Sequence, residues 1–149
     1  MQFTLAYVGP RASGGDEFNT LTRLYLERAS AFVPSEATSF RRQEELFEWL
    51  ARKPGRTTPL AVLLDSQGRR LTSAEFASWI GARRDDGARH IVFAIGPADG
   101  WTQESRKCAQ LLLSLGSLTM AHALARLVMA EQLYRACTIL AGHPYHTGH

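Results

Sequence analysis

Residues 59–65 read PLAVLLD and residues 90–96 read HIVFAIG. Each is a short, continuous apolar run bounded by turn-forming residues. A strand with one wet face alternates apolar and polar residues, whereas a strand covered on both faces has no need to. Helical patterns flank the two runs: DEFNTLTRLYLERAS (16–30), QEELFEWLARK (43–53) and TSAEFASWIGARR (72–84). Strands alternating with helices build a mostly parallel sheet with helices on both faces. The sequence thus predicts an α/β fold, organised as a single domain over residues 1–149.

The remaining elements fit around this centre. QFTLAYVG (2–9) reads as an opening strand, and a weaker one lies at 37–41, after Pro34. In the first helix Phe18, Leu21, Tyr25 and Leu26 or Leu24 share one side, with acids in its first turn. Pro54-Gly55 ends the second helix. Asp65 and a Ser66-Gln67-Gly68 turn end the strand PLAVLLD. Thr72 and Glu75 match a capping box. TQESRKCAQLLLSL (102–115) reads as a helix from an N-cap at Thr102. A long helix runs from His122 or Ala123 to about Ala141.

The chain has 149 residues, 45% hydrophobic and 21% charged, which is ordinary for a globular protein. No apolar run approaches the roughly 20 residues of a membrane span. The N-terminus enters a strand directly, so neither a targeting segment nor a membrane association is expected. Cys108 and Cys137 lie in helical patterns and read as buried reduced thiols, consistent with a cytoplasmic location. The formal charge of +3 and a sequence pI near 9.2 lean weakly toward nucleic acid. Paired cations such as Arg41-Arg42, Arg83-Arg84 and Arg106-Lys107 suit either a phosphate backbone or ordinary solvated helix ends.

Ligands of parallel α/β sheets bind beyond the carboxyl ends of the strands. That rule selects Leu64-Asp65, Gly96–Gly100 and Ser114–Met120. GPADG (96–100) is neither a Walker loop nor a GxGxxG dinucleotide turn, and reads as an ordinary turn or as a place where a ligand meets the backbone. In SLGSLTM (114–120) small residues interrupt an apolar segment. It reads equally as a short edge strand or as main chain offered to an adenine edge, with Leu118 and Met120 walling the ring. The last helix carries only Arg126, Glu131 and Arg135 as charged residues. Its stripe Ala123, Leu127, Ala130, Tyr134 reads as core or as a dimer face.

Three of the five histidines, His143, His146 and His149, fall in the last seven residues, HPYHTGH. Imidazole is a common zinc ligand. With no HExxH and no cysteine cluster beside it, a metal is not expected here. No nucleophile elbow supports a Ser-His-Asp arrangement either.

The segments YVG, LDSQGRRLTSAEFA, FAIGPADG, SLTMAHALARLVMAEQLYRA and HPYH together resemble the RlmH family, SPOUT-class methyltransferases of large-subunit ribosomal RNA. The resemblance runs nearly end to end and is weakest between Ala31 and Pro59. It implies a sheet whose C-terminal part forms a trefoil knot, contrary to the general rule against knots. It implies S-adenosylmethionine in the knotted loops, here Leu64, Gly96 and the run Leu115, Gly116, Ser117, Leu118, Thr119 and Met120. It also implies a homodimer that methylates N3 of a pseudouridine, position 1915 of 23S rRNA, on assembled ribosomes.

This chain departs from the family pattern at Pro97, which replaces a second glycine, and at Thr147, which stands where many members have an arginine. Arg126 and Arg135 are the candidate substitutes for that arginine, with His143 and Tyr145 as further RNA contacts. The methyl donor is already activated, so the protein must position, orient and desolvate. Tyr145 suits stacking on a splayed base, and His146 suits taking or relaying a proton. The tail then reads as a lid over the target base. Two rivals stay open: a SPOUT-like enzyme with another RNA target, and a non-catalytic ribosome-associated factor.

Overall fold

The computed structural model describes residues 1–9, 16–52 and 58–147. In chain order the elements are β1 (Gln2–Val8), α1 (Glu17–Ala29), β2 (Ser35–Phe40), α2 (Gln43–Arg52), β3 (Leu60–Arg70), α3 (Ser73–Asp85), β4 (His90–Ile95), α4 (Gln103–Lys107), β5 (Leu111–Ser114) and α5 (His122–Ala141). A 3₁₀ turn, Pro144–His146, follows. The strands form one sheet in the order β2-β1-β4-β3-β5, with every pairing parallel.

Both faces of the sheet are covered, as the unalternating strands require. Phe3, Leu5, Tyr7, Val62, Ile91, Phe93 and Ile95 point to the side of α1, α3 and α5. Ala6, Val8, Ala61, Leu63, Val92 and Ala94 point to the other, where Leu46 and Leu50 of α2 meet them. Asp16 caps α1, and Thr72 and Glu75 form the capping box of α3. The expected stop at Pro54-Gly55 lies outside the described residues.

Three readings of the sequence are corrected. The apolar run after Thr102 is not one helix: α4 lasts five residues, and LLLS is the edge strand β5. Gln110 starts that strand by donating its N–H to the Ala61 carbonyl at 2.8 Å and accepting from the Ala61 N–H at 2.6 Å. Because α4 is so short, Cys108 is exposed, and only Cys137 is a buried thiol. Burial pushes the Cys137 pKa up to about 11.

Second, Ser66-Gln67-Gly68 does not end β3. Leu64 and Arg69 both oppose Leu113, so the intervening residues bulge and the strand resumes. Gly68 lies against the main chain of β5, and a Cβ there would sit 2.6 Å from the carbonyl carbon and oxygen of Leu112. Only glycine fits that approach.

Third, α1 buries Thr22, Leu26 and Ala29, leaving Phe18 at 40% and Leu21 at 42% exposure. Thr22 is hidden among apolar residues because its hydroxyl donates to the Phe18 carbonyl at 2.6 Å.

Candidate functional site

The bulge of β3, the carboxyl end of β4, the turn after β4 and the start of α5 enclose a cavity of about 380 Å³. Leu64, Gly96 and Met120, three of the expected cofactor residues, line it. Leu115 and Gly116 line a neighbouring cavity of about 270 Å³, formed with Thr72, Phe76 and Met129. The loop 115–120 therefore runs from one cavity to the other. Its middle residues, Ser117, Leu118 and Thr119, are exposed. Leu118, expected to wall a ring, stands 87% exposed.

Trp101, which the sequence reading passed over, holds the first cavity together. Its indole is 6% exposed and donates Nε1–H to the Leu64 carbonyl at 2.8 Å. It packs on Gly96, where a Cβ would come within 2.8 Å of the ring. The glycine that leaves main chain open to a ligand thus also seats the tryptophan. On the outer side Gln43 accepts from the Thr102 N–H at 3.0 Å and from the Ser105 hydroxyl at 2.7 Å. Pro97 opens a turn in which its carbonyl accepts from Gly100 N–H at 2.9 Å.

Polar groups enter the cavity at two places. Asp65, its side chain 4% exposed, accepts from Arg106 Nε at 2.8 Å and from the Gln67 N–H at 2.8 Å. Across from it stands His122, the first residue of α5. Its ring meets Tyr7 edge-on at 6.3 Å, and the Arg126 guanidinium lies 4.4 Å from the centre of the same Tyr7 ring. Burial, then the Arg126 charge, lower the His122 pKa from its usual 6.5, against an opposing pull from the backbone of Val8 and Gly96. His122 was missed because the histidines of the tail dominate the sequence, whereas this one reads as an unremarked helix start.

The tail is docked, not frayed. His143 caps the 3₁₀ turn, its Nδ1 accepting from the Tyr145 N–H at 3.2 Å. The Tyr145 hydroxyl donates to Glu131 at 3.0 Å, and its ring lies 4.6 Å from Tyr134. Glu131 also receives Arg135 at 2.7 Å, with both side chains about one-fifth exposed. Arg135 in turn donates to His146 Nδ1 at 2.9 Å and lies 4.9 Å from the Tyr145 ring centre. Burial and the Glu131 carboxylate push the Tyr145 phenol up to about 12. Glu131 stabilises the protonated guanidinium, and the Arg135 pKa is raised.

An arginine always donates, so neutral His146 carries its proton on Nε2 and presents that nitrogen as a donor. The structure thus brings Tyr145, His146, Arg135 and Glu131 together, and separately Leu64, Gly96, Met120 and His122. It does not bring the two groups together within one chain. Glu131 lies nine residues beyond His122, about 13 Å along the helix axis. Among the described residues no group of three or more His, Cys, Asp or Glu is placed to hold a metal. Among them no helix is long and apolar enough to cross a membrane.

Residues 1–146 match the family model of predicted SPOUT methyltransferases. The chain is 44% identical to a ribosomal RNA large subunit methyltransferase H of Koribacter versatilis over 149 residues, all of both chains. It is 39% identical to the protein of that name from Allorhizobium ampelinum over 160 aligned positions, covering 98% of this chain and 99% of the other. In fold it resembles the SpoU methyltransferase AviRb of Streptomyces viridochromogenes, whose crystal structure is of a complex with the cofactor AdoMet. That match has a TM-score of 0.54 at 13% identity, and covers 95% of this chain and 59% of the other. With its all-parallel sheet and full-length relatives, the chain belongs to the SPOUT methyltransferases, in the family of ribosomal RNA large subunit methyltransferase H.

Proposed function

We propose that this protein transfers a methyl group from S-adenosylmethionine to N3 of a pseudouridine in the large-subunit ribosomal RNA, as a homodimer acting on assembled ribosomes in the cytoplasm. The trefoil knot implied by the family is part of this reading. The observation that carries it is the strand-end cavity, placed where parallel α/β sheets bind ligands. Its lining fits the cofactor. Leu64, Ile95 and Met120 offer apolar walls, Gly96 bares main chain, and Arg106 supplies N–H donors suited to an amino-acid carboxylate.

Calorimetry with the purified protein tests this directly: S-adenosylmethionine should bind without RNA. Gly96→Val should abolish that binding. The sequence alone suggests a clean block, but the new side chain also collides with the buried Trp101 ring. A stability loss of about 1–3 kcal/mol should accompany it, the usual range for overpacking. Normal binding by a folded Gly96→Val protein would remove Gly96 from the site.

When bound, the cofactor supplies an activated methyl, which leaves the chain to position and desolvate the target. Tyr145 offers a stacking face, His146 an N–H donor, and Arg126, Arg135 and His143 further contacts to RNA. The separation of tail and cavity within one chain favours a dimer in which each tail serves the partner's cavity. Exposed apolar side chains supply a surface for it: Phe18, Leu21 and Leu24 on α1 and Leu124 on α5. The stripe expected from sequence on α5 is used mostly inside the chain, since Ala130 is buried and Tyr134 packs on Tyr25, Phe32 and Tyr145. Light scattering should give the mass of two chains, and Leu21→Arg should give one. A wild-type monomer at micromolar concentration contradicts the dimer.

Several cations suited to RNA phosphates are already paired: Arg42 with Glu45, Arg83 with Asp86, Arg84 with Asp85 and Arg106 with Asp65. A chain this small, with few clustered charges, gains little from phosphates alone. Assembled ribosomes should therefore be methylated far faster than naked ribosomal RNA. Equal rates would show that the naked RNA itself suffices.

A further inference from the structure

We infer that His122 accepts the proton of the target's imide nitrogen, an assignment that rests on the methyltransferase reading above. Among the described residues, three strongly ionisable side chains line the strand-end cavity: Asp65, Arg106 and His122. Asp65 is committed to Arg106 and to the Gln67 N–H. An arginine stays protonated in a protein and has no acceptor to offer. His122 remains.

Its Nε2 is buried and, among the described residues, has no hydrogen-bond partner. It lies 3.9 Å from where a Cβ on Gly9 would stand, at the end of β1. Burying an imidazole nitrogen unpaired is costly, and an N–H brought to it offsets that cost. The other described histidines have ring nitrogens engaged elsewhere. His90 Nε2 pairs with Thr4 at 2.8 Å, His143 Nδ1 caps the tail turn, and His146 Nδ1 accepts from Arg135.

The surroundings first keep His122 neutral and then hold the proton it takes. Burial and the Arg126 guanidinium disfavour the imidazolium. So does the positive end of α5, whose N-cap, Ala121, offers no side-chain bond. The Val8 and Gly96 backbone favours the charged form. The ionisable groups facing the ring are Tyr7 on β1, Arg126 one turn along α5, and the Asp65–Arg106 pair across the cavity.

In the transfer, the imide N–H bond breaks and its electron pair forms the new bond from nitrogen to the methyl carbon. The carbon–sulfur bond breaks with its pair remaining on sulfur, so the sulfonium charge disappears there. The proton arrives on His122 as an imidazolium, and the total charge is unchanged.

Two measurements test this. NMR of the ring carbons in wild-type protein should show His122 titrating below 6.5, its ordinary value. Single-turnover methylation should fall on acidification with that same midpoint. His122→Asn keeps a polar side chain that does not titrate; at saturating S-adenosylmethionine it should transfer the methyl about 10²–10⁴-fold more slowly, the range for a lost general base. It should also lose the acidic limb, and His122→Gln should do the same. The assignment is overturned if the ring titrates above 6.5, or if both variants transfer at near wild-type rate or keep the limb. A wild-type protein that binds no S-adenosylmethionine instead defeats the methyltransferase reading, and this assignment with it.

Discussion

Removing residues 145–149 is expected to leave S-adenosylmethionine binding intact while methyl transfer falls by about 10²–10⁴-fold, the size of effect associated with a lost positioning and acid–base group. Binding survives because the cavity is built from strand ends and the start of α5, with Tyr145 and His146 docked about two and a half to three and a half turns farther along that helix. Transfer falls because the target base loses its stacking face and the donor Nε2–H of His146. Single substitutions divide the effect. Tyr145→Phe keeps the ring and the Tyr134 contact but loses the bond to Glu131, so it should cost less than Tyr145→Ala. Glu131→Gln should resemble the deletion, because Glu131 holds both Tyr145 and Arg135. With the phenol held near 12, the rate should show no limb at the ordinary tyrosine value of 10. A truncated chain that transfers normally would reduce the tail to a helix stop.

Trp101→Ala is expected to cost about 3–5 kcal/mol of stability, the range for emptying a buried aromatic site. For a chain of this size that lowers Tm by about 6–20 °C. S-adenosylmethionine affinity should fall with it, since the indole ties the Leu64 carbonyl to the turn after Gly96 and forms one wall of the cavity. Trp101→Phe separates the two contributions. It restores most of the packing and none of the hydrogen bond, so stability should largely return while affinity stays low. Full affinity in Trp101→Ala would mean that the cavity is not the cofactor site.

The alternation of elements was legible because covered strands show themselves as unbroken apolar runs, and because Thr72 and Thr102 are strong N-caps at the expected places. The edge strand β5 was hidden because LLLS is too short for its period to separate strand from helix. The buried side of α1 was hidden because Thr22 satisfies its hydroxyl on its own helix and so passes as core. At the site, strand-end logic found Leu64, Asp65, Gly96 and Met120, since topology alone puts them there. Trp101, His122 and the Arg106 that pairs with Asp65 depend on which distant segments meet, and no local pattern marks that. The resemblance of HPYH to a family tail pointed to Tyr145 and His146. Only the folded chain shows that Arg135 gives His146 a donor's tautomer, and that tail and cavity sit apart on α5.

The central claim is that this chain methylates a pseudouridine of large-subunit ribosomal RNA from S-adenosylmethionine. The most direct test incubates the purified protein with that cofactor and with ribosomes from cells lacking the corresponding gene, then maps the RNA by mass spectrometry. The account predicts one added methyl per large subunit, on N3 of a single pseudouridine, and none when the cofactor is omitted. A large-subunit RNA that gains no methyl, or gains it on a different nucleotide, contradicts it.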